Sequence, residues 1–173
     1  MNTNTFLFFK INGLAENNFY LDTLGIFFAY YFEYIFIFIL LIILFYKYKK
    51  EIFIYWRAFL SAIISRFVFT EIIRYFFYRP RPFDSSQINL LIPGPDSASF
   101  PSGHAAFYSA IAFYILLKDK KIGGFALICA LLISASRIFV GVHWPIDIVA
   151  GFVVGLISAI LVDKFLPTKK TQN

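Results

Sequence analysis

Polar residues are sparse along this chain and fall in clusters, so the apolar runs between them can be marked off directly. Five runs stand out: Leu24 to Tyr46, Ile52 to Phe77, Ser102 to Leu117, Ile122 to Phe139 and Pro145 to Val162. A helix of about 20 apolar residues crosses a bilayer. The pattern therefore predicts an all-α fold, a polytopic membrane helical bundle of about five transmembrane helices. The third run is short and has to begin within the headgroup region. Ahead of them, Met1 to Tyr20 sets Phe6, Leu7, Phe8, Phe9, Ile11 and Leu14 against Lys10, Asn12 and Glu16. That weak amphipathicity predicts an N-terminal interfacial helix within residues 1–20, and a frayed terminus fits it as well. The stretch lacks a basic start followed by a small-residue cleavage site, so it is not read as a cleaved leader. Within the last run Gly151 and Gly155 form a G-x-x-x-G pair, which suits close helix packing inside one bundle.

The lysines orient the bundle. Lys47, Lys49 and Lys50 follow the first run, Lys118, Lys120 and Lys121 the third, and Lys164, Lys169 and Lys170 the fifth. The positive-inside rule makes that side cytoplasmic and leaves the N-terminus, the segment from Tyr78 to Pro101 and the Val140 to Trp144 connection outside. Composition agrees with a lipid-coated molecule: 60% hydrophobic, 21% aromatic and only 15% charged, against about 25% charged in soluble domains. The net charge of +6 is accounted for by this placement, so no nucleic-acid partner is called for. One cysteine, Cys129, excludes a disulfide framework, and two histidines, His104 and His143, make a multi-histidine metal centre unexpected. At 173 residues the chain has room for one domain, 1–173. No cofactor is called for, and nothing in the sequence fixes an oligomeric state.

With that topology, the outer ends of four runs carry Arg74, Arg79 and Arg81, then His104, Arg137, and finally His143 with Asp147. Charges from distant segments thus meet at one depth. In FPSGH, residues 100–104, Ser102 can cap the third helix and Gly103 leaves the first turn open, so its free N–H groups can receive a phosphate. Alone, the stretch is equally an ordinary helix start. In WPID, residues 144–147, Pro145 fits the first helical position and Asp147 the third, from which a carboxylate reaches back toward His143. Such a partner fixes the imidazole tautomer and leaves the other nitrogen free. Asp147 alone could also merely complement the helix dipole. Pro80 and Pro82 break the helix between Arg74 and Arg81 and bend both toward a common target. Guanidinium groups match phosphate oxygens in a bidentate way. Arg74, Arg81 and Arg137 with two histidines therefore suggest metal-free phosphoryl transfer: His143 attacks phosphorus, Asp147 steadies it, and His104 protonates the leaving oxygen.

The set Arg74-x6-Arg81-Pro82, Pro101-Ser102-Gly103-His104 and Ser136-Arg137-x5-His143-x3-Asp147 resembles the three-part signature of the type 2 phosphatidic acid phosphatase superfamily. The core of the match, residues 74–147, is the expected catalytic core. Arg74 stands where the family usually has lysine. INGLAENNFYLDTLGIFFAYYFEY and LIPGPDSASFPSGHAAF are further similar to the bacitracin-resistance type of undecaprenyl pyrophosphate phosphatase. That resemblance implies removal of the terminal phosphate from undecaprenyl pyrophosphate at the outer face of a bacterial plasma membrane, with the C-terminus cytoplasmic. It also implies the same roles: His143 nucleophile, His104 acid, and Arg74, Arg81, Arg137, Ser102 and Gly103 on phosphate. Phosphatidylglycerophosphate or phosphatidic acid would suit the same chemistry, and a non-catalytic lipid-binding or transport protein is the reading from another class. Arg79 is placed as a contact to a second phosphate. Arg66, deep in the second run, is expected to pair with Glu33 or Glu71 as a structural charge. Arg57 is expected to snorkel.

Overall fold

The computed structural model describes residues 2–47, 53–85 and 87–166, and every regular element in it is helical. After α1 (Thr3–Asn12), α2 (Phe19–Ile26) leads through a π-helical turn (Phe27–Tyr31) into α3 (Phe32–Lys47), one uninterrupted helix. Likewise α4 (Phe53–Ile63) passes through a second π-helical turn (Ile64–Phe69) into α5 (Thr70–Phe76). A short α6 (Pro82–Ser85) precedes α7 (Gly103–Lys118), α8 (Lys120–Phe139) and α9 (Pro145–Phe165). Among the described residues three helices are long and apolar enough to cross a membrane: Phe19–Lys47, Lys120–Phe139 and Pro145–Phe165. The other two expected spans fall short for different reasons. The helix over 53–76 carries Arg57, Arg66, Glu71 and Arg74, and α7 is only 16 residues long.

α7 is the central post. Tyr114, Ile111 and Ile115 on it are fully buried, and α4, α8 and α9 surround it. Small residues set the closest approach. A Cβ on Gly151 would lie 2.7 Å from the Ser102 carbonyl, and one on Gly155 would lie 2.1 Å from Ser109 Oγ, so α9 lies directly on α7. The glycine pair thus packs within the bundle, as expected. At one end Lys47 pairs with Asp119 and Lys118 with Asp163, gathering the ends of α3, α7 and α9. Lys49, Lys50, Lys169 and Lys170 lie outside the described residues.

α1 is neither frayed nor merely interfacial. Phe8 is fully buried against Trp144, ring centroids 4.8 Å apart. The Asn12 amide donates to the carbonyls of Asn89 (2.7 Å) and Phe139 (2.9 Å), while Asn4 Oδ1 accepts the Ile146 N–H at 2.9 Å. α1 therefore ties the end of α8 and the start of α9 to the segment before α7. That segment is itself pinned, with Leu91 N–H donating to the Val140 carbonyl and Ser99 N–H to the Arg79 carbonyl.

Candidate active site

Two helix starts meet at the end of the bundle opposite Lys118 and Lys164. At α9, Pro145 takes the first position and the Asp147 carboxylate accepts the Trp144 N–H at 2.8 Å. This is the back-reach expected of a third-position acid. At α7, Ser102 Oγ caps by accepting from Ala105 N–H at 3.5 Å, and Ser102 N–H donates to the Asp147 carbonyl at 3.0 Å. One hydrogen bond thus joins the two starts.

His143 reaches this point by a tight reversal. Gly141, at φ +89°, turns the chain so that the N–H groups of Val142 and His143 both return to the Arg137 carbonyl (3.1 and 3.3 Å). A side chain at 141 would be strained and would meet Ile88 Cδ1 at 2.6 Å. His143 Nδ1 then lies 3.5 Å from Asp147 Oδ2 and 3.4 Å from Ser99 Oγ, and Ser99 donates to that same carboxylate oxygen at 2.5 Å. Its other ring nitrogen, Nε2, faces Arg81 Nη1 at 3.4 Å. Burial pushes the His143 pKa down to about 4, against the upward pull of Asp147. The ring is therefore neutral at pH 7.

The arginines arrive from one broken helix. Arg74 sits in the last turn of α5, where Nη2 donates to the Pro101 carbonyl at 3.1 Å. Beyond Phe76 the chain is non-helical, so Arg79 and Arg81, two residues apart, both reach the same site. Arg79 pairs with Asp147 Oδ1 at 3.1 Å and lies over the Trp144 ring. Arg81 is buried and donates to the carbonyls of Ser97 and Val142, both at 2.8 Å, and to Ser97 Oγ at 3.1 Å. Burial and the neighbouring Arg74 lower its pKa to about 10, which leaves it cationic at neutral pH. Among the described residues no carboxylate stands within ion-pair distance of its guanidinium.

Arg137 and His104 meet on an acid from the first long helix. Glu33 Oε2 lies 3.3 Å from Arg137 Nη2 and 3.3 Å from His104 Nε2, and the Tyr108 hydroxyl also bonds this carboxylate. Arg66 pairs with Glu71, one of its two expected partners; Glu33, the other, is taken by Arg137 and His104. His104 interacts electrostatically with Arg137, His143, Arg66 and Arg81. All the residues expected at the site thus converge, with three placements the sequence did not foresee. Arg79 lies on Asp147 rather than reaching outward. Gly103 leaves room for the Arg66 side chain, whose Nε would be 2.4 Å from an added Cβ. Ser102 is fully buried, its hydroxyl capping α7 as expected but its N–H spent on the Asp147 carbonyl of α9.

A chain that sets a histidine–carboxylate pair and an arginine cluster at two helix starts can be compared with known proteins on that basis. The PAP2 superfamily model matches residues 54–170. The chain belongs to the PAP2 superfamily. Undecaprenyl-diphosphatase BcrC of Bacillus subtilis is 37% identical over 102 residues, 59% of this chain and 53% of that protein. An undecaprenyl-diphosphatase of Sulfolobus acidocaldarius is 40% identical over 98 residues, 56% of this chain and 47% of that protein. These alignments span about half the length of each relative. The crystal structure of Aquifex aeolicus LpxE superposes with a TM-score of 0.76 at 32% identity, covering 95% of this chain and 96% of that one.

Two polar residues of this PAP2 chain escaped the sequence reading of the site. Glu33 was expected only as a structural partner for Arg66, not as the acid on Arg137 and His104, and it lies before the stretch that the family model matches. Ser99 had no signal at all, since its partner is 48 residues away.

Proposed function

We propose that this protein is an integral membrane lipid phosphatase that removes the terminal phosphate of undecaprenyl pyrophosphate. The observation that carries the reading is His143, held by Asp147 on one ring nitrogen and facing with the other Arg81, which among the described residues has no carboxylate at ion-pair distance from its guanidinium. The sequence relatives named undecaprenyl-diphosphatase support the choice of substrate.

In the proposed reaction the terminal phosphate lies on Arg81, Arg74 and Arg137. His143 Nε2 attacks phosphorus and forms a P–N bond as the P–O bond to the lipid phosphate breaks. His104 gives its proton to the departing bridging oxygen, and Asp147 takes up the positive charge that grows on the His143 ring. Water then attacks the phosphohistidine, His104 accepts a proton from it, and inorganic phosphate leaves with His143 neutral again. The guanidinium groups stabilise the equatorial oxygens, so the scheme needs no metal ion. We place this site on the extracytoplasmic face, since Lys47, Lys118 and Lys164 mark the other end.

The test is phosphate release by detergent-purified protein in excess chelator, from undecaprenyl pyrophosphate and phosphatidylglycerophosphate in parallel, with His143→Ala as control. Faster release from the pyrophosphate, abolished in the variant, is the expected result. Faster release from phosphatidylglycerophosphate would move the assignment to that lipid. Release that survives the substitution would overturn the mechanism.

A further inference from the structure

Arg66 is a cation at this end of the bundle to which the reaction above gives no work. It lies in the π-helical turn Ile64–Phe69, and such turns, in which one extra residue re-aims a side chain, are frequent at functional sites. Here the turn also lets Ser65 Oγ donate to the Ala106 carbonyl at 3.0 Å, which holds Arg66 against the start of α7. The space a Cβ would need on Gly103 is filled by Arg66 Nε, Cδ and Cζ, at 2.4, 2.7 and 2.9 Å.

Arg66 is also bound into the phosphate-reading cluster. Arg66 Nη1 and Arg74 Nη1 both contact one oxygen, Glu71 Oε1, the latter at 3.2 Å. Two guanidiniums that share one carboxylate oxygen are close enough to hold the adjoining phosphates of one diphosphate. A single carboxylate between two arginines leaves the trio with a positive charge. Beside it opens a cavity of about 190 Å³ lined by Arg66, Phe67, Gly103, His104, Phe107 and Tyr108. His104, the proposed proton donor, and Arg66 thus line one cavity.

We propose that Arg66 binds the second phosphate of a diphosphate substrate, the one that leaves with the lipid. The proposal rests on the function inferred above. In that reaction His104 serves the bridging oxygen, so the leaving phosphate belongs beyond His104, where Arg66 stands. The lipid has a path from there. One turn below Arg66 on the same helix, Ile63 begins an apolar groove of about 790 Å³ walled by Phe59 and Trp56 on one side and Phe38 and Phe45 on the other. The substrate phosphate takes the place of Glu71 on Arg66.

Binding of two probes to the full-length detergent-purified protein tests this without requiring turnover: inorganic phosphate and methylenediphosphonate, by titration calorimetry. The wild type is expected to favour the diphosphonate. Arg66→Gln is expected to weaken diphosphonate binding by about 10-fold or more and to leave phosphate within about 2-fold, the loss of charge-assisted hydrogen bonds to one phosphate. Arg66→Lys, which keeps the charge, is expected to fall between and serves if the glutamine variant does not fold. Equal weakening of both probes, as a purely structural arginine would give, or no change in their ratio, overturns the proposal. Undecaprenyl pyrophosphate turnover measured alongside separates the two ideas. A wild type that selects the diphosphonate but hydrolyses no lipid refutes the function and not the subsite. An unchanged ratio in a variant of an active enzyme refutes the subsite alone.

Discussion

The His143 ring is 3% exposed, and taking its imidazolium out of water lowers its pKa from the ordinary 6.5 to about 4. Asp147 pulls the other way and burial wins, so the resting ring is neutral, as the proposed nucleophile has to be. Because the folded value is depressed, this group's contribution to stability is complete above pH 6.5 and is lost as the pH falls toward 4. Side-chain nitrogen NMR, simple in a chain with two histidines, is expected to show His143 neutral at pH 5.5; an imidazolium spectrum there would contradict the burial argument. Asp147→Asn keeps the shape and loses the charge that fixes the tautomer, with an expected fall in kcat of about 100-fold or more. Ser99→Ala removes the 2.5 Å donor to that carboxylate, and a fall of roughly 10-fold is expected, with the melting temperature little changed. The His143–Asp147 pair was legible in the sequence because its geometry is local, four residues across a helix start. Glu33 and Arg137 are 104 residues apart, and no spacing rule reaches that far.

Helix starts and the turn between α8 and α9 carry the site. Proline at 145, serine at 102 and glycine at 141 each fix a backbone direction; the first two were readable as single residues with known backbone habits, and the turn at Gly141 came only with the structure. The two π-helical turns were not. FFAYY and ISRFVF carry no signature, and what favours the wider turn is tertiary: Ser65 on α7, and Glu33 just beyond the other turn on Arg137 and His104. At Gly141, alanine meets a positive φ as well as Ile88 and the Asn89 carbonyl. Gly141→Ala is expected to destabilise by about 1–3 kcal/mol, and turnover is expected to fall further than that loss explains, because His143 rides on the turn. Thermal melts and rates on the same preparation check this. Gly155→Leu, which would thrust a side chain into Ser109 and the Ala110 backbone, is expected to part α7 from α9 and abolish folded protein in detergent, checked by gel filtration.

At the scale of the molecule the apolar runs revealed the helices, and among the described residues three of them are long and apolar enough to cross a membrane. The helix over 53–76 carries Arg57, Arg66, Glu71 and Arg74 among its apolar residues. Sidedness is tested by labelling. In a Cys129→Ala background, Asp96→Cys is expected to react with a membrane-impermeant maleimide in intact cells and Lys120→Cys only after lysis; the reverse would invert the bundle. The bond from Ser102 to Asp147 and the glycine seam beneath it weld α7 and α9 into one piece, whereas the Phe19–Lys47 helix stands at the rim and precedes the stretch matched by the family model. The molecule is therefore built like a chuck on a spindle. The jaw is not freely exchangeable, because Glu33 on it holds His104 and Arg137, so a shift of that helix would carry the proposed proton donor with it.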